Sequence, residues 1–189
     1  MEEKIDVENL NFHPILKDIE NMFWFFYLSH SALANPNVQS ILKSGEDKSV
    51  IPMLRKYNEW VNLQIKIDNN THTSNSNILD SMIFIGKAMA ILTYDFLSLS
   101  SYNNSINKDK EFQFLRHIRN GAAHNKKFNL KDKEGNWKIQ ESEIIGWNGM
   151  KINRELQGKS VFNNFVSLFG VFLLAKYFSE RLKGIDQKK

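Results

Sequence analysis

Apolar residues recur along this chain with two different periods, and the place where the period changes organises the whole sequence. From Ile15 to Leu33, the residues Ile15, Leu16, Ile19, Met22, Phe23, Phe26 and Tyr27 follow the i, i+3, i+4, i+7 spacing of a buried helix face. Trp24, Phe25 and Leu28 widen the stripe almost all the way round, as expected of a central helix or of one that also faces a second subunit. Turns are expected over Asn35–Ser49, which holds Pro36 and Gly45. A second helix is predicted over Ile51–Ile67, with Pro52 at its start and an apolar face of Met53, Leu54, Tyr57, Trp60, Val61 and Ile65. After the polar loop Asp68–Asn77, a third helix is predicted over Ile78–Leu99, carrying Leu79, Met82, Ile83, Ala90, Ile91, Tyr94 and Leu97. Ser100–Asn107 is a further polar loop, and Lys110–His124 a shorter helix with Phe112, Leu115, Ile118 and Ala122 on one face.

Past His124 the period shortens. Phe128–Leu130 and Trp137–Ile139 are short β-like runs around a tip at Glu134-Gly135-Asn136. Ile144–Trp147 and Met150–Ile152 flank Asn148-Gly149, a pair suited to the tight type I′ turn of a hairpin. Helical spacing then returns from about Ser160 to Lys183. The expectation is one mainly α domain over residues 1–189: an antiparallel helical bundle with a small β-hairpin insertion, about 125–158, before the C-terminal helix.

Composition narrows the class. With 189 residues, 42% hydrophobic and 24% charged, a single core is expected and global disorder is not. Zero cysteines exclude a disulfide framework, a thiolate metal site and a cysteine nucleophile, and fit a reducing compartment. The start, Met1 to Glu8, is acidic rather than basic, unlike a secretory signal. The most apolar runs, Met22–Leu28 and Val166–Ala175, fall short of the roughly 18 residues that span a bilayer. A cytoplasmic protein without a membrane partner is expected.

Charge changes the picture further. Residues 1–100 hold 8 Lys/Arg against 12 Asp/Glu, whereas residues 101–189 hold 17 against 9. Lys108–Lys138 alone carries 9 basic and 4 acidic side chains. Such a basic half suits a phosphate-bearing partner; a solvated lysine-rich surface accounts for it equally well.

Most catalytic templates are missing. The chain has no glycine-rich phosphate loop, no H-E-x-x-H and no G-x-S-x-G. His13, His30, His72, His117 and His124 are mostly isolated from carboxylates in sequence, so neither a metal nor a cofactor is expected. One segment differs: Phe112-Gln113-Phe114-Leu115-Arg116-His117-Ile118-Arg119-Asn120-Gly121-Ala122-Ala123-His124-Asn125. It resembles the signature of the HEPN superfamily, an arginine followed after four to six residues by a histidine, often as R-N-x-x-x-H. Arg119 and Asn120 open the motif here and His124 closes it.

The resemblance implies an all-helical fold and metal-independent endoribonuclease activity of the kind found in toxin–antitoxin and phage-defence systems, with Arg119, Asn120 and His124 as catalytic residues. It also implies a homodimer in which two copies of the motif meet in one cleft, and a restraining antitoxin protein as a further partner. The residue types suit the chemistry. Histidine exchanges protons near neutral pH, and arginine holds a permanent charge in a fork that matches phosphate oxygens. Asn120 and His124 stand four apart on one helix face, where Asn120 would orient the ring or the substrate. Arg119 and His124, five apart, would diverge by about 140° on a regular helix, so Gly121 points to an end or distortion of the helix there. Arg116, Lys126 and Lys127 flank the motif as candidate RNA-phosphate contacts, and Trp137 and Trp147 either stack on bases or pin the hairpins. The alternative role is a non-catalytic HEPN-like module that binds a nucleotide, RNA or a protein.

Overall fold

Helices dominate because the 3.6-residue apolar period is met over most of the chain. The computed structural model describes residues 11–37, 49–56, 59–65, 75–124, 126–140, 145–162 and 164–188. Among these residues stand five helices: α1 (Lys17–Ala34), α2 (Asn75–Leu99), α3 (Asn103–Ile106), α4 (Lys110–Ala123) and α5 (Leu168–Asp186). Two antiparallel pairs of strands accompany them, β1 (Ser49–Lys56) with β2 (Glu59–Ile65) and β3 (Ile145–Trp147) with β4 (Met150–Ile152). The chain divides into two compact units, Met1–Trp24 with Met82–Lys189, and Phe25–Ser81.

The smaller unit corrects the helix predicted over Ile51–Ile67. β1 and β2 pair there with Ile51 opposite Leu63 and Met53 opposite Val61. The physical reason is the strict alternation Val61-Asn62-Leu63-Gln64-Ile65, a period of two that places every second residue on one face of a ribbon. Pro52, opposite Asn62, is tolerated because both strands of a two-stranded sheet are edges and proline removes a donor that need not be used. Most of the polar loop predicted over 68–77, and most of the turns predicted over 35–49, lie outside the described residues.

In the larger unit, aromatic rings tie the elements together. Phe172 of α5 stacks on Phe23 of α1 at 3.8 Å between centroids and on Phe12 at 5.3 Å. Phe178, one and a half turns on, meets Phe112 of α4 edge-on, and Phe112 stacks on Tyr94 of α2. Phe114, on another side of α4, faces Trp147 and Phe165. Burying rings of this size is worth about 1.5–3 kcal/mol each, so α4 and α5 form the centre of this unit. The N-terminal segment is also clasped by polar bonds. The His13 amide donates to Ser179 Oγ, and the His13 ring and the Tyr102 hydroxyl both meet the Asp186 carboxylate, at 3.0 and 2.6 Å.

α2 contains a 21-residue stretch, Leu79–Leu99, long and apolar enough to cross a membrane, longer than the apolar runs singled out above. Its Met89, Ala90, Thr93 and Leu97 are buried, while Phe84 and Leu99 are exposed. The aromatic stripe of α1 likewise does not sink all round: Ile19 and Phe23 are buried, but Phe25, Tyr27 and Leu28 are exposed.

The β-rich insertion forms as its turn residues dictate. Asn148 and Gly149 both take positive φ, 46° and 77°, the type I′ geometry whose twist suits a two-residue hairpin. The Glu134-Gly135-Asn136 tip is a turn in which the Asp132 carboxylate accepts from the amides of Glu134 and Asn136. Its flanks are joined by one bridge, Lys131 to Trp137, rather than by strands.

The C-terminal helix begins at Leu168, capped by Ser167 Oγ accepting from the Gly170 amide, eight residues later than the predicted Ser160. The residues between are committed elsewhere. The Phe128 amide donates to the Lys159 carbonyl, Gly158 to the Phe128 carbonyl, and Val161 to the Lys126 carbonyl. A close approach makes this possible: a Cβ on Gly121 would overlap the Val161 side chain. Gly121→Ala is therefore expected to lower stability in urea melts by about 1–3 kcal/mol from overpacking, outweighing the ~1 kcal/mol of helix propensity regained. Adding Val161→Ala should recover much of that loss, whereas a doubly substituted chain no more stable than the single variant would refute the contact as the cause.

Candidate functional site

α4 carries the motif, and its burial pattern sorts the motif residues. Phe112, Phe114, Leu115, His117, Ile118 and Gly121 are buried, which leaves Arg116 exposed and Arg119 and Asn120 half-buried. The helix ends at Ala123. His124 is its C-cap, with extended φ and ψ of −126° and 109°, and its amide donates to the Asn120 carbonyl at 3.0 Å. The anticipated helix end is thus found, two residues after Gly121. The exposed His124 ring makes no side-chain hydrogen bond among the described residues.

Asn120 and His124 are connected through the main chain; among the described residues no side-chain hydrogen bond joins them. Lys126 takes a left-handed φ of 63°, which costs a non-glycine residue about 1–2 kcal/mol. The bond from the Val161 amide to its carbonyl, and the bridge from Lys127 to Ser160, hold the loop in place. Both lysine side chains are exposed immediately after His124.

Arg119 turns toward α2. Its Nη2 lies 3.4 Å from Asp95 Oδ1, its guanidinium carbon 5.6 Å from the centre of the Tyr94 ring, and its Nε is buried without a hydrogen-bond partner among the described residues. Asp95 uses one of the five N–H donors of the fork. Asp95 and Tyr94 are functional neighbours that the motif alone does not reveal. The available signal is a lone carboxylate late in a largely apolar helix, a favourable place for a cation opposite it.

His117 differs from His124 in kind. Burial, with Arg116 and Lys138 adding positive charge beside it, pushes its imidazole down to about 4. It is a neutral core residue at neutral pH. Trp137 lies between two cations, Lys131 Nζ at 4.5 Å and the Arg154 guanidinium carbon at 5.1 Å, and Trp147 packs on Phe114. Trp147 therefore helps pin the insertion to α4, while the contacts of Trp137 lie within the insertion itself. Among the described residues no group of three or more His, Asp or Glu is placed to hold a metal ion.

No protein-family model, no curated protein and no solved structure matches this chain. The site must be judged on its own geometry. That geometry is an exposed histidine just outside a helix end, a partly buried arginine one turn back, and Arg116, Lys126 and Lys127 around them.

His117 also gives the protein a pH response. The unfolded chain protonates His117 near 6.5, while the folded chain resists protonation until about 4. The unfolded state therefore binds more protons between these values. The stability that His117 contributes is complete above pH 6.5 and is lost as pH falls toward 4, to a limit of about 3 kcal/mol. Urea unfolding of wild type and His117→Gln at pH 7 and pH 4.5 checks this: the variant should lose less stability on acidification, and equal losses would refute it.

Proposed function

We propose that the protein is a metal-independent endoribonuclease of the HEPN type, a dimer of HEPN-like antiparallel helical bundles working in toxin–antitoxin or phage defence under an antitoxin protein's restraint. The observation that carries this reading is the Arg119-Asn120…His124 motif standing where α4 ends, with the His124 ring exposed and the arginine's fork only partly engaged. His124 accepts the proton of a ribose 2′-hydroxyl as its oxygen attacks the adjacent phosphorus. The P–O5′ bond breaks, the departing 5′-oxygen receives a proton from a second general acid, and a 2′,3′-cyclic phosphate remains. In a two-copy site, the partner's histidine would be that acid. Arg119 stabilises charge growing on the phosphoryl oxygens, and Arg116, Lys126 and Lys127 hold neighbouring phosphates without choosing sequence.

The test is cleavage of labelled single-stranded RNA in EDTA. Loss of an acid–base group removes about 10²–10⁴ in rate, so His124→Ala should fall by at least about 100-fold with an unchanged melting temperature, and Arg119→Ala should fall comparably. Because an ion pair this exposed is worth at most about 1 kcal/mol, Asp95→Asn should stay within about fivefold of wild type. Cleavage unaffected by both motif substitutions would sink the proposal.

The attachment of Arg119 to Asp95 and Tyr94 favours a second reading, a non-catalytic module that binds a nucleotide, RNA or a protein. Folded, dimeric protein that cleaves no RNA, either as wild type or as Asp95→Asn, would select it.

A further inference from the structure

At the opposite end of α4 from His124, a small open cavity of about 160 Å³ is lined by Lys110, Glu111, Trp147, Met150 and Lys151, with Gly146 and the turn backbone beside them. Its size is informative: enclosed small-molecule sites usually measure about 300–1,000 Å³, so this one has room for the edge of a single planar ring rather than a whole cofactor. Its wall includes the half-buried Trp147, whose ring also lies 6.2 Å from Phe114 between centroids, tilted by 47°. Part of the surface is bare main chain at Gly146, where a Cβ would come 2.7 Å from the Met150 carbonyl oxygen. A half-buried indole at the edge of an open cavity offers a surface on which a base can stack.

The polar groups narrow the ligand further. The Glu111 side chain is largely buried, 17% exposed, and the Lys110 ammonium stands 3.9 Å from its carboxylate. A carboxylate only accepts hydrogen bonds, so it selects ring edges that donate. Of the four RNA bases, guanine alone presents two adjacent donors, N1–H and the N2 amino group, to match the two oxygens. Uracil presents one N–H between two carbonyls that a carboxylate repels. Lys151 and Lys110 supply positive charge at the rim for flanking phosphates.

We propose, building on the ribonuclease reading, that this cavity is a guanine subsite. Trp147 stacks on the base, Glu111 accepts from its Watson–Crick edge, and Lys151 with Lys110 engages the adjoining phosphates. α4 has 14 residues, a length of about 21 Å at 1.5 Å per residue. The subsite therefore reads a guanine several nucleotides from the bond cleaved at His124, and gives the enzyme a sequence preference that its lysines do not.

The test uses the full chain carrying His124→Ala and monitors its four tryptophan indole N–H signals by ¹H–¹⁵N NMR, with Trp147→Phe to assign the relevant one. GMP should shift the Trp147 signal with a Kd about tenfold lower than UMP, the size of discrimination that a paired hydrogen bond gives. Glu111→Gln should reduce that preference to within about twofold while GMP still binds, and Lys151→Glu should weaken all four mononucleotides alike. Equal affinity for GMP and UMP, an unmoved Trp147 signal, or an unchanged preference in Glu111→Gln overturns the subsite. Because no cleavage is read, the two proposals fail separately: RNA cleavage without a GMP shift removes only the subsite, and a GMP shift without cleavage removes only the nuclease.

Discussion

The close approach of Val161 to the bare α-carbon of Gly121 is the contact on which the end of the molecule carrying the motif depends. It lets the strand-like segment 158–162 lie against 126–128, where three main-chain bonds fasten it. Buried amides and carbonyls must find partners, and these are found across the two segments rather than within a longer helix. α4 consequently stops at Ala123, Lys126 is held in a left-handed turn, and α5 waits until Leu168 to begin. His124 is placed at the resulting corner, outside the helix and in solvent.

Burial then assigns different physics to residues of similar chemistry. Along one helix, His117 is sunk among apolar side chains with Arg116 and Lys138 beside it, and its protonated form is disfavoured. Seven residues on, His124 is open to solvent. The arginines divide the same way: Arg116 is exposed, whereas Arg119 leans on Tyr94 and Asp95. The sorting follows from the helical period, because the face carrying Leu115, Ile118 and Gly121 is the one that meets the core.

Local signals made much of this legible in sequence, and longer-range competition hid the rest. Asn148-Gly149 needs positive φ twice and adopts it, so its hairpin could be read from two letters. The apolar spacing of 112, 115 and 118 marked the buried face of α4 in the same way. Residues 51–67 were misread because Met53, Leu54, Tyr57, Trp60 and Val61 satisfy a helical template while 61–65 alternate strictly, and the alternation prevails. The start of α5 differs because residues 160–167 are apolar enough for a helix, yet the Val161 amide is taken by the Lys126 carbonyl and Ser160 bridges to Lys127. Of the site, the motif positions were visible. The partner of Arg119 was not, since Asp95 lies 24 residues earlier on another helix.

That partner bears on how a site of this kind could work. On the ribonuclease reading, Arg119 must exchange Asp95 for a phosphate. At 3.4 Å, with 29% and 38% of the two side chains exposed, the existing pair is worth at most about 1 kcal/mol. Hydrogen bonds to a charged group contribute about 1.5–3 kcal/mol each, and the fork can make two in parallel to phosphate oxygens. On that reading the exchange would run toward the phosphate, and Asp95 would serve as a holder of the guanidinium in the absence of RNA. Within one copy, Arg119 still faces α2 while His124 stands beyond the helix end. In the proposed dimer, a second copy bringing its own pair to the same phosphate would resolve that divergence without rebuilding α4, which Gly121 and Val161 hold in place.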